Sequence, residues 1–315
     1  MTSPVEPDRV SDTEPAPDDL QAVLDEVRRI EVQSNRLVRG VMAGGYSSVF
    51  RGAGMEFEEV REFVEGDDPR LIDWKVTARA GRPFVKKFVD ERELVVVFLL
   101  DLSPSMTGGT GVWSARQLAV RLCACMALAA VRNHDKVGMI AFAEGVERFV
   151  PPQKGRGHAL RIVRDGLLLR AAGTRTSFAP ALEYAGRVLR RRAVVFLVSD
   201  FLGPPIGPSL LRCAQRHDLV AVRILSPELF PPRRGLQRLR DPESGREVVA
   251  DWSSEPVRAA WLERVASWRK RVDDELARAD VDVMDVPVPL VADKDAVARP
   301  ILRFFQMREQ RGAHR

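Results

Sequence analysis

The sequence is poor in cysteine and histidine, which limits the metal and redox chemistry that it could support. Three cysteines and four histidines occur among 315 residues, and the histidines lack the spacing of a zinc site. Cys123 and Cys125 lie two apart in an apolar helical stretch and so point to different sides. We expect these two and Cys213 to be buried, reduced thiols, and the sequence disfavours a transition-metal site.

Long apolar runs are also absent. The segment 94–100 is much shorter than the roughly 18 residues that a membrane helix needs, and Arg121 interrupts the segment 119–131. The N-terminal segment is acidic and proline-rich, where a signal peptide would have a basic start and an apolar centre. We therefore expect a cytoplasmic protein without a membrane span.

A strong excess of either charge is missing as well. Lysine and arginine total 49 against 44 aspartate and glutamate, a net charge of +5, and the two signs are interspersed along most of the chain. Such a mild bias usually reflects a solvated surface. We expect no nucleic-acid partner.

Composition divides the chain into four parts. Residues 1–19 are acidic and proline-rich, which is typical of a disordered tail. Residues 20–93 predict an amphipathic helix followed by a small β-rich subdomain with many glycines and dense charge. Residues 94–308 are regular, and residues 309–315 are predicted to form a second tail.

The regular part predicts an α/β fold with a doubly wound, mostly parallel sheet. Its apolar strands alternate with amphipathic helices, because crossover helices cover both faces of such a sheet. The turn signal DPESG predicts an inserted hairpin at about 233–252. The predicted strands are 93–100, 136–146, 193–200, 218–227 and 281–288, and the predicted helices are 113–131, 158–170, 178–190, 210–216, 255–279 and 293–307.

Oxygen-bearing side chains follow two of these strands where ligands bind in open α/β sheets. Asp101, Ser103 and Ser105 come directly after the first strand, Asp200 ends the strand AVVFLVSD, and the turn GTRTSF precedes that strand. Hard oxygen ligands without histidine or cysteine select Mg²⁺, Mn²⁺ or Ca²⁺, of which we expect Mg²⁺. Alternatively, these residues only cap helices and solvate loops.

This ordered set resembles the metal-ion-dependent adhesion site of the von Willebrand factor A fold, which has the form D-x-S-x-S, then Thr, then Asp. The matching residues are Asp101, Ser103, Ser105, Thr176 and Asp200. Thr176 is preferred over Thr174 because TSFAPAL places a leucine six residues later, as in that family.

The resemblance implies a role for each residue. Ser103 and Ser105 would bind the metal directly, and Thr176 directly or through water. Asp101 and Asp200 would hold coordinated waters. With no direct carboxylate ligand the ion would keep much of its charge and would bind an acidic side chain of a protein partner.

A second set of motifs precedes the first strand and resembles a bacterial family called domain of unknown function fifty-eight. The matching residues are Gly52, Gly54, Glu56, Phe57, Arg61-Glu62-Phe63, Gly66-Asp67-Asp68-Pro69-Arg70, Ile72-Asp73-Trp74-Lys75 and Ala78-Arg79. That resemblance covers roughly residues 30 to 230. It implies an adaptor that acts with a MoxR-type AAA+ ATPase in the assembly or maturation of complexes.

The GDDPR segment has two open interpretations. An aspartate before Pro69 can cap a following helix. The segment nevertheless brings more charge than a cap requires, from Asp67, Asp68, Arg70, Asp73, Lys75 and Arg79. The charges either form an internal ion-pair network or face a partner, and the candidates for partner binding are Asp67, Asp68, Arg70 and Asp73.

Two enzyme classes compete with the adaptor prediction. A phosphohydrolase with an aspartate nucleophile would need a second acid where Ser103 stands, and serine is a poor acid or base at neutral pH. A serine hydrolase would need a nearby histidine or a G-x-S-x-G elbow, and neither is evident. We therefore expect a protein without catalytic activity, with a Mg²⁺-dependent phosphohydrolase and a nucleic-acid-binding protein as the alternatives.

Overall fold

The structure is a computed structural model that describes residues 24–35, 56–64, 67–89, 93–230, 232, 234–293 and 295–312. Two predicted features lie outside the described residues. They are the tail at 1–19 and the motif glycines Gly52 and Gly54. The first described element is helix α1, residues 24–35, inside the longer helix that the sequence predicts. It buries Val27 and Ile30 in the main core.

A small two-stranded sheet precedes the main sheet. Strand β1 (Glu56–Glu62) pairs antiparallel with strand β2 (Phe84–Val89), and helix α2 (Trp74–Ala80) lies between them in the chain. Asp73 caps α2 by accepting from two backbone amides, and Gly81 ends it with a φ of 72°.

The main sheet has six strands in the order β10-β7-β6-β3-β4-β5. Five are mutually parallel and the sixth, β5, is antiparallel to β4. The strands are β3 (Val95–Asp101), β4 (Lys136–Phe142), β5 (Val146–Gln153), β6 (Val194–Ser199), β7 (Asp218–Leu225) and β10 (Asp282–Pro287). The prediction of a mixed α/β fold with a mostly parallel central sheet is confirmed.

Helices cover both faces of this sheet. They are α3 (Ala115–Arg132), α4 (Arg156–Leu168), α5 (Phe178–Val188), α6 (Ser209–Arg216), α7 (Glu255–Arg278) and α8 (Ala298–Gly312). On one face α3, α4 and α8 share a hydrophobic core with Phe98 and Leu100 of β3, and on the other α5, α6 and α7 share a second core with Val97 and Leu99. Successive strand residues point to opposite faces, so a strand buried on both sides must be apolar throughout.

Helix α8 differs from its prediction at both ends. It begins at Ala298 and ends at Gly312, whereas the sequence analysis placed it at 293–307 and a tail after it. The structure has turns at 295–297 before the helix. Arg308 and Arg311 of its last turns pair with Asp282 at the start of β10, which ties the helix end to the sheet.

The antiparallel edge strand β5 was missed by the sequence analysis. A single strand was predicted over 136–146, but β4 ends at Phe142 and the chain turns back at Gly145. Strand β5, VERFVPPQ, contains two prolines and is only partly buried. Proline is tolerated at a sheet edge because no ladder hydrogen bond is needed there, and its presence obscures the strand pattern.

A separate hairpin lies in the stretch where an insertion was predicted. Strand β8 (Leu236–Arg240) pairs antiparallel with β9 (Glu247–Asp251). Its base is anchored by Trp252, which is buried, donates from Nε1 to Gln237 and contacts Trp261 edge to face.

The cysteines and the apolar character of the helices were also considered in the sequence predictions. The three cysteines are buried and form no disulfide, as predicted, and burial raises the pKa of each thiol. Within the described part of the chain, no helix combines the length and the apolar character that a membrane crossing requires.

Candidate functional site

The candidate site lies where two neighbouring parallel strands end and their chains diverge. Strands β3 and β6 pair side by side, with Leu100 opposite Val198. After β3 the chain continues through α3 to β4 on one side, and after β6 it continues through α6 to β7 on the other. This divergence opens a crevice at the carboxyl ends of the strands, so the loops after Asp101 and Ser199 face each other.

The D-x-S-x-S segment folds into a tight turn below this crevice. Asp101 and Ser103 are fully buried, and the Ser103 amide donates to Asp101 Oδ1 over 2.8 Å. A short 3-10 turn, Pro104–Thr107, then brings the Ser105 hydroxyl to 3.1 Å from that of Ser103. The two hydroxyl groups therefore lie side by side, close to the carboxyl group of Asp101.

Ser199 completes the environment of Asp101 and was not among the predicted residues. It is fully buried, its hydroxyl donates to Asp101 Oδ2 over 2.5 Å, and it accepts from the Phe201 amide over 3.0 Å. The signal for it was present in the sequence, since Ser199 immediately precedes Asp200 at the end of an apolar strand. Both oxygens of Asp101 are thereby hydrogen bonded and its orientation is fixed.

Asp200 is the other buried carboxyl group of the site. It is 2% exposed, and its Oδ1 accepts from the Leu202 amide over 2.9 Å. Its Oδ2 is buried without a hydrogen-bond partner. Most buried carboxylate oxygens have a donor, so an orphaned one requires an explanation.

The pKa values of both carboxyl groups are raised. For Asp101 the main cause is burial, followed by the charge of Asp200, with hydrogen bonds from Ser199 and Ser103 opposing it. Burial also raises the pKa of Asp200, against the hydrogen bond that the Leu202 amide donates to it. Two like charges in a buried crevice repel, and a cation placed between them would relieve that repulsion.

Thr176 reaches the site from the loop before α5. That loop is held by the Ser177 amide, which donates to Ala143 O over 2.8 Å. Gly203, in the loop after β6, lies so close that a Cβ at this position would be 2.9 Å from Thr176 Cβ. The structure thus brings Thr176, which is 3% exposed, next to the Asp200 loop.

The five predicted residues form one cluster whose chemistry fits a hard divalent cation. It offers three hydroxyls and two carboxyl groups, all of them oxygen donors, with one carboxylate oxygen still unpartnered. Within the described ranges, no group of three or more histidine, cysteine, aspartate or glutamate side chains is placed to hold a metal ion. A cation here would therefore depend on hydroxyl ligands and on water.

The charged residues of the GDDPR segment are placed differently. Asp67 accepts two hydrogen bonds from the Arg61 guanidinium, over 2.7 and 2.6 Å, and this ion pair lowers the pKa of Asp67. Asp68 accepts from the Arg70 amide within the following 3-10 turn, and Asp73 is the cap of α2. Asp67 and Asp73 therefore stabilise the local fold, while the exposed Asp68 and Arg70 remain predicted partner contacts.

Comparison of the sequence with known families identifies the family. The family model described as "Protein of unknown function DUF58" matches residues 59–271. The uncharacterized protein Rv1480 of Mycobacterium tuberculosis is 32% identical over 296 residues, which cover 91% of this chain and 90% of that protein. The chain belongs to the DUF58 family.

Solved structures give weaker likenesses. BatB from Bacteroides thetaiotaomicron matches 69% of this chain and 99% of its own with 18% identity and a TM-score of 0.43. The SpRpn10 VWA domain matches 67% of this chain and 97% of its own with 13% identity and a TM-score of 0.38. The strand order of the sheet itself defines the fold.

Proposed function

We propose that the protein is a non-catalytic adaptor that binds an acidic side chain of a protein partner through a Mg²⁺ ion held at the β3–β6 crevice. The observation that carries the proposal is the cluster of Asp101, Ser103, Ser105, Thr176 and Asp200, in which one carboxylate oxygen of Asp200 is unpartnered. Four of the five residues are buried and Ser105 is half-buried. Mn²⁺ or Ca²⁺ would fit the same oxygen donors.

Some residues of the cluster would contact the ion directly and others through water. The hydroxyls of Ser103 and Ser105 lie 3.1 Å apart and would bind the ion directly, in keeping with the resemblance to the von Willebrand factor A fold. Asp101 is held by Ser199 and by the Ser103 amide, so it would orient coordinated water rather than swing towards the ion. The free oxygen of Asp200 would accept from a second coordinated water.

The charge balance favours recognition over catalysis. An ion bound mainly by hydroxyls and water keeps its positive charge and attracts a carboxylate from outside. The cluster contains no histidine or lysine that could act as a general base towards Ser103 or Ser105. The site therefore suits binding of an acidic residue better than nucleophilic attack.

We further propose a MoxR-type AAA+ ATPase, or a client of one, as the partner. This part of the proposal rests on the resemblance of the N-terminal motifs to a family whose members are thought to act with such ATPases. Asp68 and Arg70 are exposed and would add contacts on the partner-facing side.

Two measurements test the proposal. The first is titration calorimetry with Mg²⁺ and Mn²⁺, and the second is capture of the ATPase in the presence of metal ion or of chelator. We expect the wild-type protein to bind one ion and to retain the ATPase only in metal. Ser103→Ala/Ser105→Ala should lose both, because two direct ligands are removed.

A matched control is Ser226→Ala/Ser254→Ala. It also removes two hydroxyls, at helix starts where neither side chain makes a capping hydrogen bond, and should behave like the wild type. Metal binding that survives in Ser103→Ala/Ser105→Ala would show that the ion binds elsewhere, and capture that is equal in chelator would refute the metal-dependent interaction.

A further inference from the structure

The β8–β9 hairpin folds back so that one acidic side chain of its turn reaches the metal-site cluster. Thr176 Oγ1 donates to Glu243 Oε1 over 2.7 Å, although the two residues are 67 positions apart in the sequence. Thr176 is almost fully buried and belongs to the loop before α5. The sequence analysis identified the turn but assigned no function to it.

The turn is built so that Glu243 points inwards. Its amide donates to Asp241 Oδ1 over 3.0 Å, and the Gly245 amide donates to the Asp241 carbonyl over 2.8 Å. Gly245 takes a φ of 70°, which glycine adopts without strain. Among residues 241–245 Glu243 is the one that is partly buried, and the other four are exposed.

Glu243 also lies near Asp200, the residue with the unpartnered oxygen. Gly203, three residues after Asp200, packs closely against Thr176, whose hydroxyl donates to Glu243. Glu243 thus brings a carboxyl group to the loops that carry Thr176 and Asp200, and the like charges of Glu243 and Asp200 repel in such a place. A cation between Glu243 and Asp200 would turn this repulsion into attraction.

The hairpin itself is suited to move. Its two strands pack mainly on each other and leave most of their side chains exposed, including Leu236 and Val249. A two-stranded hairpin alone is only marginally stable in water. Trp252 holds the base, and the contact with Thr176 holds the turn.

We propose that Glu243 is an internal acidic ligand of the metal site: the hairpin places its own carboxylate where the acidic residue of a partner would bind. This inference rests on the proposed function, since it concerns the same ion. Glu243 and the carboxylate of a partner would compete for one ligand position, because the hairpin turn must leave the crevice before the partner can enter.

Glu243→Gln separates a ligand from a structural contact. Glutamine keeps an oxygen that can accept from Thr176 but lacks the charge that binds a hard cation. We expect calorimetry to show Mn²⁺ binding weakened about tenfold. Added acetate should restore the affinity of the variant and should leave the wild type unchanged, because Glu243 already occupies that ligand position.

Water-proton relaxation by bound Mn²⁺ provides a direct readout. Loss of a carboxylate ligand admits an additional exchanging water, so the relaxivity of the bound ion should rise in Glu243→Gln and fall again with acetate. Glu247→Gln is the matched control, since Glu247 is exposed on the same hairpin and forms only a 3.8 Å ion pair with Arg238. It should match the wild type in both measurements.

The outcomes distinguish this inference from the function on which it rests. If Glu243→Gln binds Mn²⁺ like the wild type, without a response to acetate, while Ser103→Ala/Ser105→Ala binds none, Glu243 is not a ligand and the metal site stands. If the wild type itself binds no ion, both proposals fail.

Discussion

At the scale of single residues, the ordered set from Asp101 to Asp200 could be found in the sequence because each member follows a recognisable strand or precedes a recognisable helix. Ser199 and Glu243 could not be assigned in the same way. The role of Ser199 depends on β6 lying beside β3. That of Glu243 depends on the direction in which the hairpin folds. Sequence spacing carries neither kind of information.

The buried charge of Asp200 gives a prediction about the metal-free protein. Asparagine at this position can still accept a hydrogen bond from the Leu202 amide. The substitution removes a carboxyl group whose charged form is disfavoured by burial. We expect Asp200→Asn to raise the free energy of unfolding near neutral pH, because it removes the cost of burying a charged carboxylate. Urea unfolding in chelator measures the difference.

The pH dependence of this effect has a definite sign. A carboxyl group whose pKa is raised in the folded state binds its proton more tightly there than in the unfolded chain. The wild type should therefore lose stability relative to Asp200→Asn as the pH rises from the unfolded pKa, about 3.9, through the raised folded value. A constant difference across that interval would contradict the assignment.

At the scale of elements, the apolar strands and amphipathic helices were predictable because burial on both faces leaves a clear pattern. Strand β5 was missed because an edge strand tolerates prolines and partial exposure. The predicted start and end of α8 were also wrong, because Asp293 holds a turn before the helix and ion pairs with β10 hold its end. Interior strands and helices leave a clearer hydrophobic pattern in the sequence than edge strands and helix ends do.

The contact between two loops at the site can be tested through Gly203. A Cβ there would lie 2.9 Å from Thr176 Cβ and 3.3 Å from its Cγ2. Gly203→Ala should therefore displace Thr176, with a cost of about 1–3 kcal/mol in stability and a loss of about tenfold in Mn²⁺ affinity. Urea unfolding and calorimetry provide the two measurements.

Gly157→Ala is the control for this substitution. Gly157 lies in the first turn of α4, and a Cβ there would meet nothing within 4 Å. Alanine is the better helix former, so this variant should be neutral or slightly stabilised. Unchanged metal affinity in Gly203→Ala would mean that Thr176 takes no part in binding.

At the scale of the whole molecule, the site joins three segments that are distant in the chain. Ser103 and Ser105 follow β3, Thr176 precedes α5, and Asp200 follows β6. The fold places these three loops close together, and a bound ion would link them. Unfolding separates these loops and destroys the site. The ion should therefore bind the folded state alone and stabilise the entire α/β sheet.

This linkage predicts the size of the effect. At a Mg²⁺ concentration 100 times the dissociation constant, binding to the folded state alone adds about 2.7 kcal/mol, which corresponds to a rise in Tm of about 5–10 °C for a large domain. Thermal unfolding followed across a range of Mg²⁺ concentrations should show Tm rising with the logarithm of concentration. Ser103→Ala/Ser105→Ala should give a flat profile and Ser226→Ala/Ser254→Ala the wild-type slope, because only the first pair belongs to the proposed ligands. Equal slopes in all three proteins would place the stabilising ion outside the crevice.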